Sequence, residues 1–115
     1  QIGAPTWCRD IATATATLIA RMTSHGDSRA LSGIYNLSAQ GSTSWHDFAA
    51  AIIAHSAGAR SKPPPKLIAI PTSDYPLPAT RPANSILSHD KLRRMFGVEL
   101  PDWRESLAAC LAARP

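Results

Sequence analysis

Apolar positions recur at helical spacing from Trp7 to Met22, where Ile11, Thr15, Leu18 and Met22 fall on one side with Ala and Thr between them. Gly26-Asp27-Ser28 breaks that pattern. The run Gly33-Ile34-Tyr35-Asn36-Leu37-Ser38 is short, partly alternating and bounded by Ser and Gly, which predicts a strand. Ser44 is placed to N-cap a second helix in which Asp47 faces the dipole and Trp45, Phe48, Ile52 and His55 recur; Gly58 is its expected stop. Three prolines between Lys62 and Lys66 force an extended connector, which leads into Leu67-Ile68-Ala69-Ile70 as a second strand. Strand, helix, strand in that order favours a right-handed crossover joining parallel strands. Four prolines from Pro71 to Pro82 then keep the backbone irregular, as in a functional loop. Two short helices close the chain. Ser88 caps one that ends at Gly97, and Pro101 at a first-turn position opens another carrying Trp103, Leu107 and Leu111. The expected fold class is α/β: a small strand-helix-strand unit with flanking helices, in one unit over residues 1–115.

Composition qualifies this picture. Apolar residues make up 44% and charged residues 17%, which excludes intrinsic disorder, yet much of the apolar share is alanine and aromatics supply only 6%, so the core is expected to be thin. A formal charge of +4 suits an anionic partner, whether nucleic acid, an acidic membrane surface or a phosphorylated small molecule, without choosing among them. Cys8 and Cys110 lie at opposite ends with no CxxC spacing, and both are expected as reduced thiols. No apolar run approaches membrane-spanning length, and Gln1-Ile2-Gly3-Ala4-Pro5 lacks the pattern of a signal peptide, so a soluble cytoplasmic protein is expected. The start at Gln1, without an initiator Met, suggests a piece of something longer.

Several chemistries lack their residues. The glycines, at 3, 26, 33, 41, 58 and 97, are too scattered for a dinucleotide-binding GxGxxG turn. A reductase Tyr-x-x-x-Lys pair is absent too, because Tyr35 is followed four residues on by Ala39 and Tyr75 by Ala79. His25, His46, His55 and His89 form no HxxxH or HExxH, so no metal site is expected. His46-Asp47 beside Ser44 is better explained as a helix first turn than as a catalytic triad, since adjacent helical residues point apart. No catalytic, cofactor-binding or metal-ligating residue is therefore assigned to the chain.

Two irregular segments carry more specific polar residues than packing requires: Gln1-Ile2-Gly3-Ala4-Pro5-Thr6 and Thr80-Arg81-Pro82-Ala83-Asn84-Ser85. Taken with 33–37, Ile70-Pro71-Thr72-Ser73-Asp74-Tyr75-Pro76 and Leu100-Pro101-Asp102-Trp103-Arg104-Glu105, they resemble in order and spacing the C-terminal half of dTDP-4-dehydrorhamnose reductases, over the whole chain. Arg-Pro-x-Asn-Ser at 81–85 is fairly specific to that family; Gly-x-Pro-Thr at 3–6 is shared with extended short-chain dehydrogenases at large. The resemblance implies the C-terminal substrate-binding part of a Rossmann-type enzyme. A separate N-terminal Rossmann domain would bind NADPH and supply the Tyr and Lys, while this part closes over dTDP-4-dehydro-L-rhamnose or a related nucleotide sugar. It leaves Mg²⁺ and a homodimer open and implies neither a nucleic-acid nor a membrane partner. The sequence departs from the family at Ile86 and Ser88, where an Arg and an Asp are frequent; Ser88 still serves as a cap.

Arg81 is the candidate diphosphate ligand, because a planar guanidinium engages phosphate oxygens in a fork. Asn84 and Ser85 offer short groups to sugar or phosphate, or else stabilise a turn. Gln1 and Thr6 resemble residues at the substrate mouth, with Thr6 equally suited to capping a helix. Tyr75 is expected to pin its loop to the body, stacking on a base being the alternative. Trp45 and Trp103, each at a helix start, are expected as core anchors. Two other functions stay open: a regulatory subunit of the same fold that binds a partner enzyme, and nucleic-acid binding through Lys91, Arg93 and Arg94, against which stands a merely solvated helical face.

Overall fold

The computed structural model describes residues 1–24, 26, 28–56, 63–75 and 78–113. Among them the order is β1 (Ile2–Gly3), α1 (Cys8–Ser24), a 3₁₀ turn (Ser28–Leu31), β2 (Thr43–Ser44), α2 (Trp45–His55), a second 3₁₀ turn (Thr72–Asp74), α3 (Asp90–Phe96) and α4 (Trp103–Ala112). The expected helices are present, and α2, α3 and α4 each have a local start or stop. Ser44 caps α2 by accepting the Asp47 amide at 3.0 Å, and Gly97 closes α3 in the left-handed region at φ 57°. Ser88 acts from one residue before the N-cap position of α3, His89, accepting the Asp90 amide at 3.3 Å. For α4 the cap is Asp102, whose carboxylate accepts the Arg104 amide at 2.9 Å, so Pro101 precedes the cap rather than occupying the first turn. The stop expected at Gly58 lies outside the described residues.

The strand-helix-strand unit is not what forms. Residues 33–38 and 67–70 form no ladder among the described residues; Ile34 is 88% exposed, and Leu67, Ile68 and Ile70 face solvent. Alternation reports a backbone state, but a strand also needs a neighbour to take its N–H and C=O groups. Pairing falls instead to β1 and β2, antiparallel with Ile2 opposite Ser44 and Gly3 opposite Thr43, so no parallel crossover exists in this sheet. On its other edge Ile2 bridges Asn84, donating its amide to Ala83 O at 2.8 Å and accepting the Ser85 amide at 2.9 Å. The first residues are thus held between 43–44 and 83–85.

The thin core divides in two. Ala14, Leu18 and Met22 of α1 meet Leu31, Leu92, Phe96, Val98 and Leu100; Ile11, expected on that face, is exposed. A second cluster sets Trp103 and Leu107 of α4 against Ala39 and against Phe48 and Ile52 of α2. Ser106 ties α4 to α1 by donating to Asp10 at 2.6 Å. A radius of gyration of 17.7 Å exceeds the roughly 13 Å of a compact chain of this length, as two small cores joined by extended segments require.

Gly41 is the glycine this packing depends on. At φ 75° it lies in the left-handed region, and a Cβ there would run into the Asp102 carboxylate and approach Trp103 Cδ1 at 3.1 Å. Gly41→Ala is expected to cost about 1–3 kcal/mol, read as a lower urea midpoint with unchanged slope.

Candidate functional site

Clamping β1 between two segments creates two adjoining hollows. The smaller, about 280 Å³, is bordered by Gly3, Thr43, Phe48 and Ser85; the larger, about 480 Å³, by His46, Ile70, Pro71 and Tyr75. Gln1, Ser44, Trp45 and Arg81 border both. Arg81 therefore faces two spaces at once, beside the N-terminal end of α2, where the helix dipole places partial positive charge. Among the described residues its guanidinium has no hydrogen-bond or ion-pair partner. Other arginines are engaged: Arg93 pairs with Asp90 at 2.9 Å and Glu99 at 3.2 Å, and Arg9 and Arg104 stack on Trp7 and Trp103. A free planar cation beside a helix N-terminus is suited to a phosphate-bearing ligand.

Of the residues singled out from sequence, the structure gathers Gln1, Arg81 and Ser85 around the smaller hollow. The Ser85 hydroxyl donates to Ile2 O at 3.1 Å and retains lone pairs for a ligand. Space there is tight, since a Cβ on Gly3 would come within 2.8 Å of Ser85 Oγ. Asn84 and Thr6 lie outside both linings. Asn84 closes a turn by accepting the Ile86 amide at 2.9 Å. Thr6 donates to Ala4 O at 2.9 Å and accepts the Ala39 amide at 3.0 Å, which fastens the N-terminal segment to the body without capping α1.

Sequence reasoning missed the first turn of α2. Trp45, expected in the core, is 64% exposed and borders both hollows, whereas Trp103 is 2% exposed as expected. Tyr75 is also 64% exposed, so its ring does not pin the loop. His46 and Asp47, expected to point apart, meet at 3.1 Å, because no preceding helical turn blocks their rotamers there. The His46 bond, and then that of Ser44, hold the Asp47 carboxyl below its usual 3.8. A depressed carboxylate stabilises the fold above its unfolded pKa and loses that contribution as pH falls through its folded one. The α2 cap should accordingly weaken only below pH 3.8, and a carboxyl NMR titration should place the Asp47 midpoint under that value.

Two further constellations carry no chemistry of their own. Lys91 Nζ sits 4.5 Å from the Tyr35 ring centre and donates to Ile34 O, while the Tyr35 hydroxyl donates to Leu31 O at 2.8 Å. That phenol is turned to backbone and is not poised as a proton donor beside the lysine. With Arg93 paired and Lys91 engaged, the basic face of α3 is largely committed within the chain. Ser38 Oγ lies 2.8 Å from His89 Nε2, and the Gln40 amide faces Nδ1 at 3.5 Å. The ring therefore bridges Ser38 and Gln40, the second contact lying at the outer limit of a hydrogen bond.

A nicotinamide dinucleotide does not fit the described residues either. The step from β1 to α1 carries only Gly3 and β2 runs directly into α2, so among the described residues no strand-to-helix turn offers the glycine-rich backbone cradle a pyrophosphate needs. Among the described residues no three His, Cys, Asp or Glu side chains converge as metal ligands, and no helix is long and apolar enough to cross a membrane.

Relatives share this chain's pattern almost end to end. A dTDP-4-dehydrorhamnose reductase of Burkholderia thailandensis is 46% identical over 115 positions, covering 96% of this chain and 39% of the relative. Reductases of the same name from Sinorhizobium fredii and Escherichia coli are 42% and 40% identical, covering 92% and 90% of this chain. The chain spans 39%, 35% and 34% of these three proteins' own lengths. Residues 1–114 match the RmlD substrate binding domain, and the chain belongs to that family.

Proposed function

We propose that residues 1–115 are the substrate-binding part of a cytoplasmic NADPH-dependent reductase that converts dTDP-4-dehydro-L-rhamnose to dTDP-L-rhamnose. The observation that carries this reading is the Arg81 guanidinium, unpartnered among the described residues, bordering two adjoining hollows with mixed polar and apolar walls. Family membership and the names of the relatives support it. In this account the hydride for the sugar's C4 carbonyl would come from NADPH and the proton for its oxygen from a Tyr assisted by a Lys, all held by a Rossmann-type portion outside this chain. This chain binds and orients. Arg81 takes the diphosphate, Gln1 and Ser85 contact the bound sugar nucleotide, and Thr6 and Asn84 keep the two irregular segments in place. Fixing the reacting carbonyl is a large part of such catalysis, because positioning replaces translational and rotational entropy that would otherwise be lost in the transition state.

The test is NADPH oxidation followed at 340 nm. The full-length protein is expected to oxidise NADPH only when the keto sugar is supplied, and residues 1–115 alone are expected to be inactive. Turnover by the isolated 115 residues, or indifference of the full-length protein to the keto sugar, would contradict the assignment.

A further inference from the structure

We propose that residues 33–37 form an outermost strand on the sheet of the Rossmann-type portion outside this chain, pairing through one edge only, the edge that carries the N–H and C=O groups of Tyr35 and Leu37. The partner's identity rests on the reductase reading; the open edge does not. Burial along the segment alternates: Ile34 and Asn36 are exposed, while Tyr35 and Leu37 are half-buried and share the first core with Leu18 and Met22 of α1. A period of two is what a strand shows when one of its faces lies on a core. The outward residue Ile34 is 88% exposed, and among the described residues no backbone–backbone bond reaches 33–38. Uncovered apolar surface and unpaired backbone thus coincide.

The two edges differ. A strand residue sends its N–H and C=O to the same edge, and the next residue sends them to the other. On the edge of Ile34 and Asn36 the chain supplies its own guard: Lys91 Nζ donates to Ile34 O at 3.1 Å, and Asn36 Nδ2 donates to Ser88 O at 3.0 Å, which keeps residues 88–91 alongside. A lysine in that place blocks further pairing. On the other edge the N–H and C=O groups of Tyr35 and Leu37 have no partner among the described residues. The partner that fits there is a parallel sheet, because a helix followed by a strand on the same core is the second half of a strand-helix-strand crossover. β1 is not the first half, since residues 43–44 and 84 take its two sides. That first half then lies in the longer polypeptide; the chain spans only 34–39% of the three relatives' lengths.

Amide hydrogen exchange of the full-length protein, read residue by residue by NMR, tests the edge. Tyr35 and Leu37 are expected to exchange at least about tenfold more slowly than Ile34 and Asn36 once intrinsic rates are divided out. Equal rates at all four positions would overturn the proposal, whether fast, as in an unpaired segment, or slow, as in a strand paired on both sides; so would the reverse order. Ile34→Lys in the full-length protein tests the covering. A partner layer over Ile34 predicts a thermal midpoint at least about 3 °C lower, because a charge would then be buried, with Ile34→Val close to wild type. A smaller shift, the behaviour of a solvent position, would count against the proposal. Neither readout depends on ligand. Absence of keto-sugar-dependent NADPH oxidation would remove the partner's identity and leave the paired edge, whereas a failed exchange pattern would leave the substrate reading intact.

Discussion

Trp103→Ala is expected to destabilise the fold by roughly 3–5 kcal/mol, the cost of emptying a fully buried aromatic site. The side chain is 2% exposed and sits where α2, α4 and the 39–41 segment converge. Its backbone is engaged as well: the Trp103 amide donates to Gln40 O at 3.1 Å, and the Gln40 amide to Pro101 O at 2.9 Å. Domains of this size are stable by only about 5–15 kcal/mol, and the two cores here are small, so the variant should be largely unfolded at physiological temperature. Trp103→Phe should cost much less. The buried indole N–H has no acceptor among the described residues, so its removal forfeits volume without orphaning a partner. Urea denaturation followed by circular dichroism orders the three proteins, and equal losses in Ala and Phe would show that something other than ring volume matters at this position.

Arg81→Gln in the full-length protein is expected to weaken dTDP-sugar binding about 10- to 150-fold, the equivalent of one charge-assisted contact of 1.5–3 kcal/mol. The side chain is exposed and makes no internal hydrogen bond among the described residues, so thermal stability should stay within about 0.5 kcal/mol of wild type. Arg81→Lys should recover only part of the affinity, because an ammonium carries the charge but not the planar fork. A large fall in stability, or full rescue by lysine, would argue against a bidentate phosphate contact.

Local signals were legible and non-local ones were not. Ser44 and Gly97 mark helix ends through bonds that span three or four residues, and Pro101 stands next to the Asp102 cap, so these ends could be read with errors of only a residue or two. The partial alternation of residues 33–38 and the apolar run at 67–70 are what a paired strand would show, but pairing is decided by a neighbour far along the chain. Conversely, β1 is only two residues long and carries no pattern; it exists because residues 43–44 and 84 reach it. Trp45 and Trp103 illustrate the limit best. Each opens a helix with an apolar residue one turn on, yet one is buried and the other faces a hollow, a difference set entirely by what packs above them. Arg81, Ser85 and Gln1 were singled out because their segments resemble a family, and they border the smaller hollow; Thr6 and Asn84 came with the same resemblance and lie outside both linings, engaged with backbone. Nothing local flagged Trp45.

The most direct measurement is a structure of the full-length protein with dTDP-L-rhamnose bound. A diphosphate oxygen about 2.8 Å from the Arg81 guanidinium, with the ligand running between the hollows that meet at Gln1 and Ser44, is the predicted result. A ligand bound elsewhere, with Arg81 in solvent, would contradict the account.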